Sequence, residues 1–182
     1  MRVLDLGCGT AWPLEKMGAK EGDFMTGVDI NAERLNVARQ RFPNRVYVKA
    51  RGESLPLGDS SFDRVYCALA MPYMDIPRAL AEIHRVLTSQ GTVFLSLHSA
   101  EFTLKELLQH ALPHPVPTLY RVYVLANGIF FHYTGNLLRF SKRRIESFQT
   151  KRGIVNALSR FGFTDVGFRA LDGRFVVEAK KL

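Results

Sequence analysis

The stretch Val3–Thr10 reads V-L-D-L-G-C-G-T and predicts a buried strand that ends in a glycine-rich turn. Glycines at alternate positions let the backbone approach a ligand, and Asp5 lies two positions before the first of them. The helix expected after the turn would direct its free N–H groups to the same place. Trp12 occupies the position of the third glycine in a dinucleotide fingerprint. The stretch therefore predicts a nucleotide-like cofactor and disfavours a dinucleotide.

A second acidic residue, Asp29, ends the strand predicted over 23–29 and follows Gly7 by 22 residues. A carboxylate at such a strand end is well placed to accept two hydrogen bonds from a ribose diol. The alternative is that Asp29 caps the helix that opens at Asn31-Ala32-Glu33-Arg34. Asn31 is the better cap candidate, so the ribose interpretation is favoured.

Three motifs in this order resemble the class I S-adenosylmethionine-dependent methyltransferases. They are V-L-D-L-G-C-G-T, G-V-D-I (Gly27–Ile30) and G-E-S-L-P-L-G-D-S-S-F-D (Gly52–Asp63). The chain is most similar to the type 11 branch, which modifies small molecules, quinones and lipids. The resemblance is strong over residues 2–98 and rests on pattern alone over 150–182. It implies an α/β fold: a doubly wound, mostly parallel, seven-stranded Rossmann-like sheet with a C-terminal antiparallel hairpin and a helical insert after strand 5. S-adenosylmethionine would lie across the carboxyl ends of the first four strands.

The resemblance also implies roles for individual residues at those strand ends. The resemblance assigns the methionine part of the cofactor to Asp5, Gly7, Cys8, Gly9 and Thr10. It assigns the ribose to Asp29 and the adenine to Ile30, Gly52 and Glu53. It assigns the sulfonium to Ala68. One position departs from the family, because Arg51 stands where relatives carry an aspartate that binds the adenine amino group. A guanidinium cannot accept a hydrogen bond, so Arg51 either stacks on adenine or faces solvent, and solvent is favoured.

Apolar periodicity predicts alternating strands and helices, which is typical of a parallel sheet. The predicted strands cover 2–6, 23–29, 45–49, 62–69 and 91–98, and the predicted helices cover 12–20, 31–42 and 76–87. After residue 150 we expect a helix and two strands, 164–169 and 174–180. The turn signal Asp172-Gly173 predicts that these two strands are antiparallel. The whole chain, 1–182, is expected to form one domain.

Residues 99–150 are expected to form a helical insert that builds the acceptor pocket. Its first helix carries Leu104, Leu107, Leu108 and Ala111 and is expected to end at prolines 113, 115 and 117. A second helix, with apolar residues from Leu119 to Tyr133, is interrupted by Asn127-Gly128. Its aromatic side chains suit a greasy or aromatic acceptor, and the simpler alternative is a hairpin packed on the body: Tyr120, Tyr123, Phe130, Phe131 and Tyr133.

His98 ends the fifth predicted strand and is the candidate general base, which is needed only when the acceptor must lose a proton. A hydrogen-bonded strand terminus is the alternative, and it is favoured over catalysis. Tyr73 either borders the acceptor or merely packs. The spacing of His110, His114 and His132 does not suggest a metal site.

The chain has 182 residues, a net charge of +8 and a basic run in its second half. The run comprises Arg139, Lys142, Arg143, Arg144, Lys151 and Arg152. A solvated face is the default interpretation, an anionic acceptor is the second, and an anionic membrane surface, with peripheral contact, is the third. Nucleic acid is disfavoured because the insert is too apolar for a phosphate groove.

Two cysteines, Cys8 and Cys67, are too few for a disulfide framework and suggest reduced thiols in a cytoplasmic protein. No apolar run approaches membrane-spanning length. Methyltransferases of this branch carry a helical lid before the first motif, so we expect that a lid is missing from this chain, which begins with the first strand.

The sequence thus predicts a methyltransferase that uses S-adenosylmethionine on a small-molecule or lipid-like acceptor, anionic under the second interpretation of the basic run. The alternatives are methylation of RNA or protein, and a cofactor-binding partner subunit without turnover. A dinucleotide-dependent oxidoreductase is the weakest alternative because the third glycine is absent.

Overall fold

The computed structural model describes residues 1–11, 14, 18–20, 22–97, 115–138, 146–171 and 174–182. Along these residues the strands are β1 (Arg2–Leu6), β2 (Phe24–Asp29), β3 (Val46–Lys49), β4 (Phe62–Ala68), β5 (Leu87–Leu97), β6 (Phe163–Leu171) and β7 (Arg174–Lys181). The helices are α1 (Ala32–Arg41), α2 (Ile76–Val86), α3 (Pro115–Thr134) and α4 (Lys151–Arg160), with a 3₁₀ turn at Met71–Tyr73.

The described strands form one seven-stranded sheet in the order β3-β2-β1-β4-β5-β7-β6. Strands β1 to β5 pair in parallel, and β7 runs antiparallel to both β5 and β6. This arrangement confirms the predicted doubly wound sheet with its antiparallel pair at the C-terminal end. The Asp172-Gly173 turn itself lies outside the described residues.

The sheet is covered on both faces, which explains why its central strand is apolar throughout. Val3, Leu4 and Leu6 of β1 are fully buried, as expected for a parallel strand with helices on both sides. Helix α2 packs on the sheet through an apolar stripe, with Ile76, Leu80, Ile83 and Val86 all fully buried. The predicted helix over 12–20 falls mostly outside the described residues.

Strand β5 begins earlier than the sequence pattern suggested. The prediction was a strand from residue 91, but β5 starts at Leu87, directly after α2 ends at Val86. Leu87 is fully buried and pairs with Phe62 of β4. Gln90 in between has φ +63, a conformation that local propensity does not favour for a strand. Tertiary pairing therefore decides where β5 starts.

The second insert helix is present as α3, and it continues through Asn127 and Gly128 instead of being interrupted there. The buried Asn127 side chain accepts from the Leu138 N–H at 2.7 Å and donates to the Glu146 carbonyl at 3.0 Å. A Cβ at Gly128 would lie 2.2 Å from the Phe148 ring. Both residues thus dock α3 on the chain that follows it. The first predicted insert helix lies outside the described residues.

The aromatic residues of α3 do not share one exposed face, which corrects the prediction of a common aromatic surface. Phe131 is fully buried and packs against Gly153. The Tyr120 hydroxyl donates to Glu146 Oε2 at 2.6 Å, and the Tyr123 hydroxyl donates to the Leu138 carbonyl at 2.9 Å. No helix in the described ranges is long and apolar enough to cross a bilayer.

Candidate functional site

The carboxyl ends of β1, β2, β3 and β4 meet at one edge of the sheet. Strands β2 and β3 lie to one side of β1 and strands β4 and β5 to the other, so the strand order reverses at β1. A crevice outside the strand ends at such a reversal is the ligand site of open α/β sheets. The predicted segments Asp5–Thr10, Asp29-Ile30, Gly52-Glu53 and Ala68 all end or follow these strands. The structure therefore brings the predicted cofactor residues to the same edge.

The glycine turn after β1 is tied to the end of β2 by its own N–H groups. Gly7 and Cys8 donate to the Val28 carbonyl at 2.7 and 3.0 Å. Gly9 donates to Asp29 Oδ2 at 2.9 Å. These three N–H groups are committed within the chain, so a ligand would contact the turn through other backbone atoms. Carbonyl oxygens suit the ammonium group of a methionine better than N–H groups do.

The two glycines of the turn have different structural roles, although both have positive φ. Gly7 has φ +72, and a Cβ there would lie 2.2 Å from the Ala70 Cβ. Gly9 has φ +54, and a Cβ there would meet nothing within 4 Å. Gly7 therefore lets the chain after β4 pack closely against the turn. Gly9 borders open space on the side where the cofactor is expected.

Asp29 is buried and holds the turn in place while retaining capacity for a ligand. Its Oδ1 accepts from the Asn31 N–H at 2.8 Å and its Oδ2 from the Gly9 N–H at 2.9 Å. The α1 cap is Asn31, whose Oδ1 accepts from the N–H groups of Glu33 and Arg34, which confirms the predicted cap. Each carboxylate oxygen has a further lone pair. Asp29 can therefore still accept hydrogen bonds from a ribose diol.

Asp5 lies in β1, two residues before the first glycine of the turn, with 5% of its surface exposed. Burial raises the pKa of Asp5 from 3.8 to about 7; the positive charge of Arg45 opposes this rise and the negative charge of Asp29 adds to it. A carboxyl with this pKa is balanced between its two protonation states near neutral pH. A cation bound beside it would favour the ionised form.

Cys8 contributes its backbone to the turn and not a reactive thiol. Burial, followed by the charges of Asp5 and Asp29, raises the pKa of Cys8 to about 12. The thiolate is the reactive form of cysteine, so Cys8 is inert near neutral pH. Burial likewise raises the pKa of Cys67 to about 12.

The loop after β3 is fixed by a carboxylate and by close packing. Glu53 Oε1 accepts from the Asp75 N–H at 3.0 Å, and Glu53 Oε2 lies 3.4 Å from Arg51 Nε. Arg51, the departure from the family pattern, has a side chain 60% exposed and pairs with Glu53 on the protein's surface. A Cβ at Gly52 would lie 2.6 Å from Met74 Sδ. Gly52 is therefore needed for packing, and Glu53 links this loop to the one after β4.

Three side chains outside the predicted site residues have contacts that the sequence interpretation did not anticipate. Arg41 Nη1 donates to the Thr10 carbonyl at 3.3 Å and lies 3.4 Å from Thr10 Oγ1. Arg45 stacks on Phe42 with its guanidinium 4.0 Å from the ring centre. Met74 packs over Gly52 as described above. Arg41 reads as the polar end of an amphipathic helix and Arg45 as the start of a strand, so only the fold shows that Arg41 reaches Thr10 and that the charge of Arg45 acts on Asp5.

The other predicted site residues are exposed, half-buried or outside the described residues. Ile30 is 57% exposed and Tyr73 is 61% exposed, so both present apolar surface near strand ends. Ala68 is half-buried at the end of β4. His98, His110, His114 and the part of the basic run from Arg139 to Arg144 lie outside the described residues. Within those residues, no three His, Cys, Asp or Glu side chains group so as to hold a metal ion.

The described residues fit the chemistry of S-adenosylmethionine. Two buried carboxylates, Asp5 and Asp29, suit a ligand that carries an ammonium, a sulfonium and a ribose diol. A Cβ at Gly9 would meet nothing within 4 Å, so the turn is open at this residue. Exposed Ile30 offers an apolar surface for adenine.

Fold and site together define a Rossmann-like protein built for a nucleoside-containing cofactor. Residues 4–95 match the family described as "Methyltransferase domain". This match covers just over half of the chain, and the chain belongs to that family. The predicted recognition and the predicted cofactor, S-adenosylmethionine, are thereby confirmed at the level of the family.

Curated relatives match this chain over just more than half of its length. A malonyl-[acyl-carrier protein] O-methyltransferase of Erwinia pyrifoliae is 37% identical over 107 residues, which are 58% of this chain and 40% of that protein. A demethylmenaquinone methyltransferase of Chlorobaculum tepidum is 30% identical over 95 residues, which are 52% of this chain and 39% of that protein. The matches thus span about two fifths of these relatives.

Solved structures show the fold over the whole chain. An S-adenosylmethionine-dependent methyltransferase of Methanosarcina mazei aligns with a TM-score of 0.67 and 22% identity, covering 100% of this chain and 92% of the other. One from Mesorhizobium loti aligns with a TM-score of 0.66 and 19% identity, covering 99% and 90%. At these identities the likeness speaks for the fold alone.

Proposed function

We propose that the chain transfers a methyl group from S-adenosylmethionine to a small-molecule or lipid-like acceptor that carries negative charge. The observation that supports the cofactor part of the proposal is the pair of buried carboxylates, Asp5 and Asp29, at the strand ends beside a glycine turn that is open at Gly9. The family supports the reaction type.

The cofactor would be held by residues from four strand ends. Asp5 would balance the positive charge of the methionine end, and the backbone around Gly7, Cys8, Gly9 and Thr10 would position that end. Asp29 would accept from the ribose hydroxyls with the lone pairs that Gly9 and Asn31 leave available. Ile30 and Gly52-Glu53 would border the adenine, and Ala68 would lie under the sulfonium.

Methyl transfer requires mainly that the cofactor and the acceptor are correctly positioned. When bound, S-adenosylmethionine supplies an activated methyl group whose transfer is an in-line displacement. The chain's contribution is to orient the cofactor and the acceptor and to exclude water. Asp29 fixes both the turn and the end of β2, so the loops on which the ligand would rest are mutually braced. A general base is required only for an acceptor that must lose a proton, and His98 remains the candidate.

The proposed acceptor class rests on charge and on the relatives' names. One relative methylates a malonyl group on acyl-carrier protein and another methylates demethylmenaquinone, so acidic and quinone-like acceptors are the first to test. The net charge of +8 favours an anionic acceptor, because a basic surface raises the local concentration of anions.

Methyl transfer from labelled S-adenosylmethionine to a panel of acceptors tests this proposal. The panel would contain a malonyl thioester, a demethylated quinol, an anionic phospholipid, a bulk RNA and a basic protein. We expect transfer to one of the first three and loss of that transfer in Asp29→Ala. Transfer only to RNA or protein would overturn the acceptor class. Binding of the cofactor without transfer to any acceptor would favour a non-catalytic partner subunit.

A further inference from the structure

The outer face of α3 carries an apolar stripe that the described fold leaves open. Its larger members are exposed by more than half: Leu119 by 75%, Val122 by 56%, Ile129 by 54% and Tyr133 by 64%. Ala126, also exposed, lies at the middle of the stripe. Within the described residues, exposed side chains of this size are otherwise scattered over other elements, including Val37 on α1.

The opposite face of α3 accounts for how this helix packs on the body. Val124 is 5% exposed, and Asn127 and Phe131 are fully buried. The Asn127 side chain bonds the Leu138 N–H and the Glu146 carbonyl, and Phe131 packs against Gly153 of α4. The helix is therefore already anchored by its inner face. The outer stripe contributes little to that packing.

The spacing of the stripe is that of a helix–helix seam. Steps of three, four, three and four residues lead from Leu119 through Val122, Ala126 and Ile129 to Tyr133. A strict alternation of three and four is the narrow seam by which two helices pair, whereas a surface helix buried against a core has a wider apolar face. The stripe spans 15 residues, or 14 steps, which is about 21 Å at 1.5 Å per residue.

The stripe is also symmetric about its smallest member. Leu119 and Tyr133 lie seven residues on either side of Ala126, and Val122 and Ile129 lie four and three residues from it. In an antiparallel pair with a two-fold axis near Ala126, Leu119 of one copy meets Tyr133 of the other, and Val122 meets Ile129. The two alanines meet at the axis, where a small side chain lets the helices approach closely. A self-complementary patch of this kind is what a two-fold interface requires.

We propose that the chain self-associates through this stripe as an antiparallel α3–α3 pair, a property independent of the proposed catalysis. Four side chains exposed to this degree leave roughly 400–500 Å² per copy, which is the size of the largest apolar patch on a typical monomer. A pair closes on the order of 900 Å², just under the area of a stable specific interface. The dimer is accordingly weak, with a dissociation constant in the micromolar range or above.

Net charge distinguishes a second copy of the chain from an anionic lipid surface as the binding partner of the stripe. Each copy carries a net charge of +8, so two copies repel each other and salt strengthens their association by screening. Adsorption of the same basic chain to an anionic bilayer would be weakened by salt for the same reason. The Arg152 guanidinium lies 5.6 Å from the Tyr133 ring, so one end of the stripe is itself basic. Salt dependence therefore has opposite signs for the two occupants.

Sedimentation velocity from 10 to 500 µM protein, in low and high salt, tests the pairing. We expect reversible dimer that increases with salt and is lost in Ile129→Glu. The matched control Val37→Glu places the same charge at an exposed valine of α1 and should dimerise as the unaltered chain does. A monomer across the whole range overturns the proposal. So does low-salt binding to phosphatidylglycerol vesicles that Ile129→Glu abolishes while the free chain stays monomeric.

Disulfide trapping tests the antiparallel register. Ala126→Cys should cross-link to itself under mild oxidation, whereas the exposed control Ala81→Cys on α2 should not. Cys8 and Cys67 are buried and leave this readout clear. Val122→Cys should not cross-link to itself, because the two copies of residue 122 are offset by about 12 Å along the axis, beyond disulfide reach. Self-cross-linking of Val122→Cys overturns the antiparallel pairing.

Discussion

Replacing Asp5 with Asn should stabilise the protein at alkaline pH while it abolishes cofactor binding. The carboxyl is 5% exposed, and burial raises the pKa of Asp5 from 3.8 to about 7. A group whose pKa rises on folding contributes stability that is complete below 3.8 and is lost as the pH rises through about 7. At about 1.4 kcal/mol per pKa unit, the full loss is about 4 kcal/mol. An amide at this position titrates in neither state and avoids the loss.

Urea denaturation of Asp5→Asn and the unaltered chain at pH 5 and pH 8.5 measures this effect. The difference in free energy of unfolding between the two should shift in favour of the variant by about 3 kcal/mol between these pH values. Groups common to both chains cancel in that difference. The buried Asp5 carboxylate would then lower the stability of the fold at alkaline pH, as expected for a charge that is needed for ligand binding.

Asp63→Asn is the control with the opposite sign. Asp63 accepts from the Arg2 N–H and from Arg2 Nη2 at 2.8 and 2.9 Å, and these bonds lower the pKa of Asp63. Its stabilisation is present above the unfolded pKa and lost only in acid, so this variant should be destabilised equally at pH 5 and 8.5. Its half-exposed position keeps the loss below about 1 kcal/mol. A pH-independent difference for Asp5→Asn, or unchanged cofactor affinity, would refute the account of Asp5.

Three further predictions concern the turn, the ribose contact and the basic run. Gly9→Ala should cost about 1 kcal/mol of stability for its positive φ and lose cofactor affinity, whereas Gly7→Ala should chiefly destabilise the fold through its clash with the chain after β4. Thermal unfolding measures the loss of stability in each variant, and titration measures the loss of cofactor affinity. Normal cofactor binding by Gly9→Ala would contradict the assignment of Gly9 to the open side of the turn that faces the cofactor. Asp29→Ala should weaken cofactor binding by about 1–3 kcal/mol in calorimetry, and an unchanged affinity would remove the ribose contact. Joint replacement of Arg143 and Arg144 by Ala should weaken binding of anionic acceptor or vesicles in a sedimentation assay; a collapse of cofactor affinity instead would place the run in the cofactor site or the fold.

Most strand positions were predictable because burial on both faces leaves continuous apolar runs bounded by glycine or acidic turns. The same is true of the α1 start, where Asn31 provides a cap with a local mechanism. The early start of β5 was not predictable from Thr88-Ser89-Gln90-Gly91, which reads as a loop. It depends on the pairing of Leu87 with Phe62, a contact between residues 25 positions apart.

The site also has features that the local sequence predicts and features that depend on contacts between distant residues. The spacing of Gly7, Gly9 and Asp29 predicts a nucleotide-like cofactor, and the resemblance of these motifs to the family implies that it is S-adenosylmethionine. What separates Gly7 from Gly9 is Ala70, which approaches from the loop after β4 and is invisible to a local pattern. The exposure of the aromatic side chains on α3 was predicted wrongly for a related reason. Helix α3 is apolar on both faces, so periodicity could not show that Phe131 faces the core.

Calorimetric titration with S-adenosylmethionine, S-adenosylhomocysteine and a nicotinamide dinucleotide tests the central claim most directly. The account predicts one-to-one binding of the first two, weakened in Asp29→Ala, and no binding of the dinucleotide. Binding of the dinucleotide without binding of either adenosyl compound would contradict it.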